Sequence, residues 1–276
     1  MLFRSALGLF LSILHSCPGA IDNYIPVINE VVLGKLGQQI NEEVAITRIA
    51  VYQVLGSALY YNPALELSEL EKRGVTQQVF ATWMKDAESM EKWLPRRLTI
   101  LGLTSILSLP IASLPATIGS AVPQLIAACA AMTIKLKEES EKNQTEATQE
   151  DGWVDAEEED EEVEGFDEND DVSNEMDEAY KKALNGISGW DDDMAKFLMG
   201  DLADEDDDFD DDFTSPLDSV DEMIYLNDTL KACFAREPEV FAQIQNALPP
   251  EVVANCQRIF AAAEVARSQA SQSSQS

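Results

Sequence analysis

The chain has 276 residues, of which 45% are hydrophobic, and a formal net charge of −32 from 51 acidic and 19 basic side chains. Residues 150–218 hold 30 of the acidic residues and only 3 lysines, so this segment carries −27 and the rest of the chain only −5. No cationic stripe is present to neutralise phosphates, which argues against nucleic-acid binding. A single histidine, His15, disfavours histidine-based catalysis and histidine-ligated metal sites.

The four cysteines are far apart in the sequence and lie in apolar surroundings. No CxxC pair occurs, so neither a zinc site nor a redox motif is predicted. We expect the thiols to be buried as small hydrophobic side chains in a reducing compartment. They are Cys17, Cys129, Cys233 and Cys256.

The first twenty residues fit two interpretations. An apolar run followed by small residues up to Ala20 is typical of a secretory signal. The spacing of Leu7, Phe10, Leu11 and Leu14 instead predicts a buried amphipathic helix. Four scattered thiols beside a polyacidic segment are unexpected in a secreted domain, so the helix is favoured. No other apolar run predicts a membrane span.

Residues 3–140 have the pattern of successive helices. Asp22 and Asn41 are predicted N-caps, and Gly74 is predicted to separate two helices. Helix pairs recurring about every 40 residues, without alternating β-branched residues, predict an all-α fold, an α-solenoid of HEAT-like antiparallel helix pairs. The predicted helices are 3–16, 22–36, 41–61, 65–73, 75–87, 92–107 and 119–140.

Residues 141–218 are predicted to be a long disordered acidic insertion, because like charges repel and the apolar content is low. Residues 219–267 are expected to form C-terminal helices that complete the solenoid begun by residues 1–140. The polar tail 268–276 is expected to be disordered. Ser219 and Glu222 have the spacing of a capping box, which predicts a helix that starts at Ser219.

The acidic segment is a candidate binding site for a strongly basic protein. Its carboxylates would replace the partner's counterions, and its interspersed aromatic side chains could stack on arginine or lysine. A solubilising linker would explain the charge but not the regular aromatic residues. The candidate cargo-binding residues are Glu157, Glu158, Glu159, Asp160, Glu161, Glu162, Asp204, Glu205, Asp206, Asp207, Asp208, Asp210, Asp211, Asp212, Trp153, Phe166, Trp190, Phe209 and Phe213.

The sequence contains no pattern that predicts catalysis or a cofactor. Gly-rich phosphate loops, a GxSxG turn and a histidine-activated nucleophile are all missing from the sequence. One stretch that begins at Asp167 and ends at Glu178 has the ligand spacing of an EF-hand loop. Its sixth position is Val172, where the sharp turn needs glycine, so no specific metal site is predicted.

Five stretches, taken in order along the chain, carry a family resemblance. They are Ala58-Leu59-Tyr60-Tyr61-Asn62-Pro63, Phe80-Ala81-Thr82-Trp83-Met84-Lys85-Asp86, Leu98-Thr99-Ile100-Leu101-Gly102-Leu103, the restart 216–222 and the closing helix 248–267. Together with the position of the acidic insertion, they resemble the C-terminal repeats of the importin-beta superfamily, in its importin seven and importin eight branch.

The resemblance implies HEAT repeats and the function of a karyopherin, a nuclear import receptor. Such a receptor carries basic cargo proteins such as ribosomal proteins or histones through the nuclear pore, binds FG nucleoporins, and shuttles between nucleus, nuclear envelope and cytoplasm. Receptors of this branch are several times longer, so the chain is expected to correspond to their C-terminal quarter. Their main Ran GTPase surface lies in the N-terminal repeats, so Ran is not expected to bind this segment by itself. The alternative function is a free-standing acidic chaperone for basic proteins.

Overall fold

Every regular element in the described part of the chain is a helix. The computed structural model describes residues 2–36, 43–87, 90–150 and 216–273, and these ranges contain no strand. The predicted all-α fold is therefore confirmed. The α-helices are α1 (Leu2–Ser16), α2 (Ile25–Leu36), α3 (Glu43–Tyr61), α4 (Pro63–Lys72), α5 (Thr76–Ala87), α6 (Trp93–Leu107), α7 (Ala116–Ser120), α8 (Val122–Glu150), α9 (Glu222–Arg236), α10 (Pro238–Ala247) and α11 (Pro250–Ser273).

The helices stack as a solenoid. Along one row, α1 lies against α3, α3 against α6, α6 against α9, and α9 against α11. The shorter helices α2 and α4 contact α3 and each other. One cluster of buried apolar side chains joins these layers, from Leu7 in α1 to Ile259 in α11. The stack is the predicted α-solenoid of helix pairs.

Helix α1 packs into the solenoid through its apolar face. Leu7 and Leu14 are 4% and 3% exposed, and they belong to the same buried cluster as Ile25, Ile28 and Val32 of α2. Its main neighbour is α3, which α2 also contacts. This packing agrees with the interpretation of the first residues as a repeat helix.

Helices α3 and α6 approach each other at two glycines. A Cβ atom built on Gly102 would lie 2.6 Å from both the Cα and the carbonyl oxygen of Gly56. A Cβ atom on Gly56 would lie 2.6 Å from the carbonyl oxygen of Leu98. Real Cβ atoms do not come so close to backbone, so both positions require glycine for the two helices to pack at this distance.

We expect Gly102→Ala to destabilise the chain by about 3 kcal/mol, because the two backbones must separate to admit the methyl group. The matched control is Gly34→Ala in α2, since a Cβ on Gly34 meets nothing within 4 Å. Alanine favours helix over glycine, so the control should raise the free energy of unfolding by up to about 1 kcal/mol. Urea unfolding followed by circular dichroism measures both. Equal effects of the two variants would contradict the close crossing.

Several predicted boundaries are confirmed and others are not. Gly74, with φ +68°, separates α4 from α5, as predicted. Asn62 is non-helical before Pro63 and caps α4. Asp22 is not the cap of α2: it lies in a short 3-10 helix, Asp22–Tyr24, and accepts a hydrogen bond of 2.7 Å from the Tyr61 hydroxyl. The predicted cap Asn41 lies outside the described residues.

Two helices are longer than the sequence predicted. Helix α8 runs to Glu150 instead of residue 140, and α11 runs to Ser273 instead of residue 267. Both extensions are polar stretches without glycine or proline, so no breaker ends them earlier. Residues 1–149 and 215–276 form one compact unit. The division into repeats, insertion and tail otherwise remains a prediction.

A buried carboxyl group joins α2 to α4. Glu66 is fully buried, and its Oε2 accepts a hydrogen bond of 2.8 Å from the Asn29 amide. Burial raises the pKa of Glu66 to about 7, and Glu69 adds to this, while the Asn29 bond and Arg73 oppose it. Within the described residues, Asn29 Oδ1 and Glu66 Oε1 have no hydrogen-bond partner. A neutral Glu66 is thus the form that the folded chain favours.

The raised pKa of Glu66 predicts a stability that falls as pH rises. Between its ordinary value of 4.5 and about 7 the folded state binds more protons than the unfolded state, so the free energy of unfolding decreases over this range. Glu66→Gln keeps the side chain neutral and should not share this decrease. The variant should therefore gain stability relative to wild type between about pH 5 and pH 8.

Urea unfolding at the two pH values measures this difference. Glu71→Gln, at an exposed position of α4, is the control and should give the same difference from wild type at both. A Glu66→Gln difference that did not change with pH would mean that Glu66 is already ionised in the folded chain.

Candidate functional site

The candidate cargo-binding residues all lie between residues 153 and 213, outside the described residues. Their assignment therefore remains a prediction. The structure describes the chain on both sides of this segment. Helix α8 precedes it, and a short 3-10 helix, Pro216–Ser219, follows it.

The returning end is held by Arg97 of α6. This side chain is only 4% exposed, and its guanidinium donates to the carbonyl oxygens of Leu217 at 2.5 Å and Val220 at 2.8 Å. The Leu217 side chain is buried against Leu98 and Leu101 of the same helix. An arginine fork suits this arrangement, since its several donors reach two backbone acceptors at once. The Leu217 carbonyl also accepts the Val220 backbone N–H, at 2.8 Å, so it is shared between the turn and Arg97.

Acidic side chains complete the surroundings of Arg97. Asp218 lies 3.4 Å and Glu222 3.3 Å from the guanidinium nitrogens. Burial raises the pKa of Glu222, and the neighbouring Arg97 opposes this shift. The guanidinium carbon also stands 4.8 Å from the ring centre of Trp93. The Arg97 guanidinium therefore contacts a turn, two carboxylates and an aromatic ring at the point where the chain returns to the solenoid.

The predicted cap at Ser219 is wrong. The N-cap of α9 is Asp221, whose carboxylate accepts a hydrogen bond of 2.8 Å from the Ile224 backbone N–H. The Ser219 hydroxyl donates instead to the carbonyl oxygen of Pro216, at 3.2 Å, and closes the 3-10 turn. The S-x-x-E spacing was matched, but the helix begins two residues later than that pattern implies.

Asp221→Ala should destabilise the chain by about 1 kcal/mol, because it removes the cap of α9. Ser219→Ala should change the free energy of unfolding by less than about 0.5 kcal/mol, since it loses one exposed local hydrogen bond. Thermal unfolding of the two variants beside wild type makes the comparison. A larger loss in Ser219→Ala than in Asp221→Ala would place the cap back at Ser219.

The departing end is held by the neighbouring arginine. Arg96 is 1% exposed and donates to the carbonyl oxygen of Met90, and it contacts Glu139 of α8 at 2.5 Å. On the exposed side of α8, Glu138 accepts a hydrogen bond of 2.8 Å from Arg258 of α11. Adjacent arginines of α6 therefore hold the returning turn and the part of α8 around Glu139, which precedes the acidic segment.

The only histidine of the chain lies close to this anchor. His15 Nε2 is 2.8 Å from the Ser57 hydroxyl oxygen. Burial lowers the pKa of His15 to about 4, with Arg97 acting in the same direction and Asp218 against it. The ring is thus neutral at physiological pH and acts in packing α1 on α3.

The four cysteines are free thiols, and the prediction that they are buried is confirmed for two of them. Cys129 and Cys233 are buried, and Cys17 and Cys256 are partly buried. Burial raises the pKa of Cys129 to about 12, which keeps it protonated. Within the described ranges, no group of histidine, cysteine and acidic side chains could hold a metal ion, and no helix there is both long and apolar enough to cross a membrane.

Three curated relatives share part of this sequence. The chain is 26% identical over 136 residues to an importin beta-like SAD2 homolog of Arabidopsis thaliana, which covers 46% of the chain and 13% of that relative. It is 31% identical over 133 residues to Importin-8 of Danio rerio, over 45% of the chain and 13% of the relative. It is 23% identical over 100 residues to a probable importin-7 homolog of Dictyostelium discoideum, over 36% of the chain and 9% of the relative.

Over part of its length, this chain is similar to importins of three organisms. The all-α solenoid fits the HEAT repeats that the family resemblance implied. No protein-family model and no solved structure matches the chain. The chain spans at most 13% of the length of the relatives named above.

Sequence reasoning missed the two arginines that hold the chain on either side of the acidic segment. Arg96 and Arg97 stand in the otherwise apolar run from Trp93 to Leu107, and two arginines in such a helix are a signal for buried ion pairs. Their partners could not be found from the sequence, because Leu217 and Val220 are more than a hundred residues away.

Proposed function

We propose that this chain is part of a nuclear transport receptor, a karyopherin, that carries basic cargo proteins between cytoplasm and nucleus and contacts them through its acidic segment. The observation that carries the proposal is the similarity to three importins together with a charge of −27 confined to residues 150–218. Ribosomal proteins and histones are the class of cargo with the matching charge.

The anchors at the two ends support this role of the segment. Arg97 holds the turn at Leu217 and Val220, and Arg96 contacts α8 through Glu139. The chain on either side of the segment is therefore held to one helix, α6. A solubilising linker needs charge but not two buried arginines at its ends.

Binding by this segment would be the sum of many weak contacts. An exposed ion pair is worth about 0–1 kcal/mol, so affinity must come from the number of carboxylates. Such affinity decreases steeply as salt rises, since exposed charges are screened. The aromatic residues Trp153, Phe166, Trp190, Phe209 and Phe213 would add stacking on arginine, which salt weakens less.

Passage through the pore separates the two candidate functions. A transport receptor would bind FG nucleoporins, act with Ran in its full-length form, and be found in nucleus, cytoplasm and nuclear envelope. A free-standing acidic chaperone would bind the same basic proteins without entering the pore. Accumulation of a labelled basic cargo in the nuclei of permeabilised cells, with the full receptor added, favours the first; solubilisation of the cargo without accumulation favours the second.

A salt titration of binding to a linker histone tests the role of the acidic segment. Neutralising either acidic run, 157–162 or 204–212, should weaken binding in part, and neutralising both should nearly abolish it. Replacing the five aromatic residues with serine should give a smaller loss that persists at higher salt. These expectations follow because the contacts are numerous, exposed and similar in energy.

A variant with the residues of 151–214 in scrambled order is the matched control. It keeps length, charge and composition, so it should bind the histone almost as wild type does if charge number is what matters. An affinity that hardly changed between about 0.05 and 0.3 M salt, or that survived deletion of 151–214, would instead make the helical repeats the cargo site.

A further inference from the structure

A surface groove lies between α6, α8 and the turn that leads into α9. Its volume is about 580 Å³, within the range of ligand-binding sites. The half-exposed indole of Trp93 lines it on one side. Four carboxylates also line it, those of Glu141, Asp218, Asp221 and Glu222.

The charges of the groove favour a cation. Its lining has four carboxylates against two cations, Arg97 and Lys137. The Arg97 guanidinium is already occupied by two backbone carbonyls and Glu222, and Lys137 lies 3.6 Å from Glu141. A third positive group would therefore enter a site that keeps an excess of negative charge.

The indole of Trp93 offers a surface on which a planar cation can stack. Arg97 stands over this ring, 4.8 Å from its centre, yet the Trp93 side chain remains 50% exposed. Cations are attracted to the face of an indole, and a guanidinium stacks there better than an ammonium because it is flat and weakly hydrated. The ring therefore favours arginine over lysine.

A buried hydroxyl in the lining lacks a partner. Thr133 is 2% exposed, and within the described part of the chain its Oγ1 makes no hydrogen bond. Leaving such a group unpaired costs free energy that a bound donor would recover. A guanidinium has five N–H donors, so it can bond the Thr133 hydroxyl and a rim carboxylate at the same time.

We propose that this groove binds one arginine side chain of a basic protein segment, with Trp93 as the stacking surface, Thr133 as a buried acceptor and the rim carboxylates as counter-charges. The basic nature of the partner rests on the proposed function. The site itself consists only of described residues and lies at the base of the acidic segment. An arginine in this groove would give the cargo one ordered contact, in addition to many weak and interchangeable ion pairs with the acidic segment.

Fluorine NMR of the full chain tests the site directly. The chain has four tryptophans, so labelling with 5-fluorotryptophan gives four positions to observe, and Trp93→Phe identifies the signal of Trp93. The probe is acetyl-Gly-Arg-Gly-amide, compared with the same peptide carrying lysine or citrulline. The Trp93 signal should shift with saturation on adding the arginine peptide, less with lysine, and not with citrulline, which is neutral but of similar shape. No saturable shift, or an equal shift with citrulline, would overturn the proposal.

Two variants locate the contacts. Thr133→Val keeps the shape of the side chain. It should weaken binding of the arginine peptide about three- to tenfold, because one hydrogen bond is lost. Glu141→Gln should also weaken it, whereas the control Glu138→Gln removes the same charge from an exposed position of α8 outside the groove and should weaken it less. Equal losses for Glu141→Gln and Glu138→Gln would show general charge attraction and overturn the assignment of the rim.

The result is independent of the test of the acidic segment. The tripeptide presents a single cation, and the readout is the Trp93 signal rather than affinity for a histone. If the groove failed this test, the salt-dependent binding of the histone could still be observed. If the histone bound equally well without residues 151–214, saturable movement of Trp93 with the arginine peptide would still establish the groove.

Discussion

The contact between α3 and α6 at Gly56 and Gly102 is the constraint on which the rest of the stack depends. A Cβ atom on Gly102 would come within 2.6 Å of the backbone of Gly56, so the two helices meet main chain to main chain. Helices α1, α2 and α4 pack on α3, while α9 packs on α6 and carries α11. The positions of both halves of the solenoid relative to each other therefore follow from one pair of glycines. Small residues at such a crossing fill little volume, and the two helix axes can therefore lie close together.

Helix α6 also holds the parts of the chain that flank the acidic segment. Arg96 and Arg97 are adjacent in sequence, so on a helix they project about 100° apart and reach different neighbours. One holds Met90 and contacts α8, and the other holds the turn at Leu217. Buried cations are costly unless they are paired, and here backbone carbonyls and carboxylates pair with both guanidinium groups. Within the described residues, Arg97 Nε is the one nitrogen of the two side chains that is buried without a hydrogen bond. A chain with 51 acidic residues thus uses two of its few arginines where the acidic segment joins the fold.

The sequence allowed the elements to be predicted but not their contacts. Proline and glycine mark the limits of α4 and α5 at Pro63 and Gly74, because their backbone preferences act locally. The cap of α9 was misplaced, since Ser219 and Asp221 are both good capping residues and only the 3-10 turn decides between them. The glycine crossing could not be foreseen, because a helical glycine does not identify its partner. Neither could the groove, whose lining joins residues from Trp93 to Met223. The cargo-binding assignment of residues 153–213 remains a prediction.

The length of α8 sets the distance between the groove and the first residue of the acidic segment. Glu141 lines the groove and the helix continues to Glu150, nine residues further. At the helical rise of 1.5 Å per residue, the first residue of the acidic segment stands about 14 Å along the axis from the groove. An extended peptide covers that span with about four residues. A partner with an arginine in the groove and a second basic residue at this interval would engage both contacts on one molecule, and the second contact would form at the high effective concentration that tethering provides.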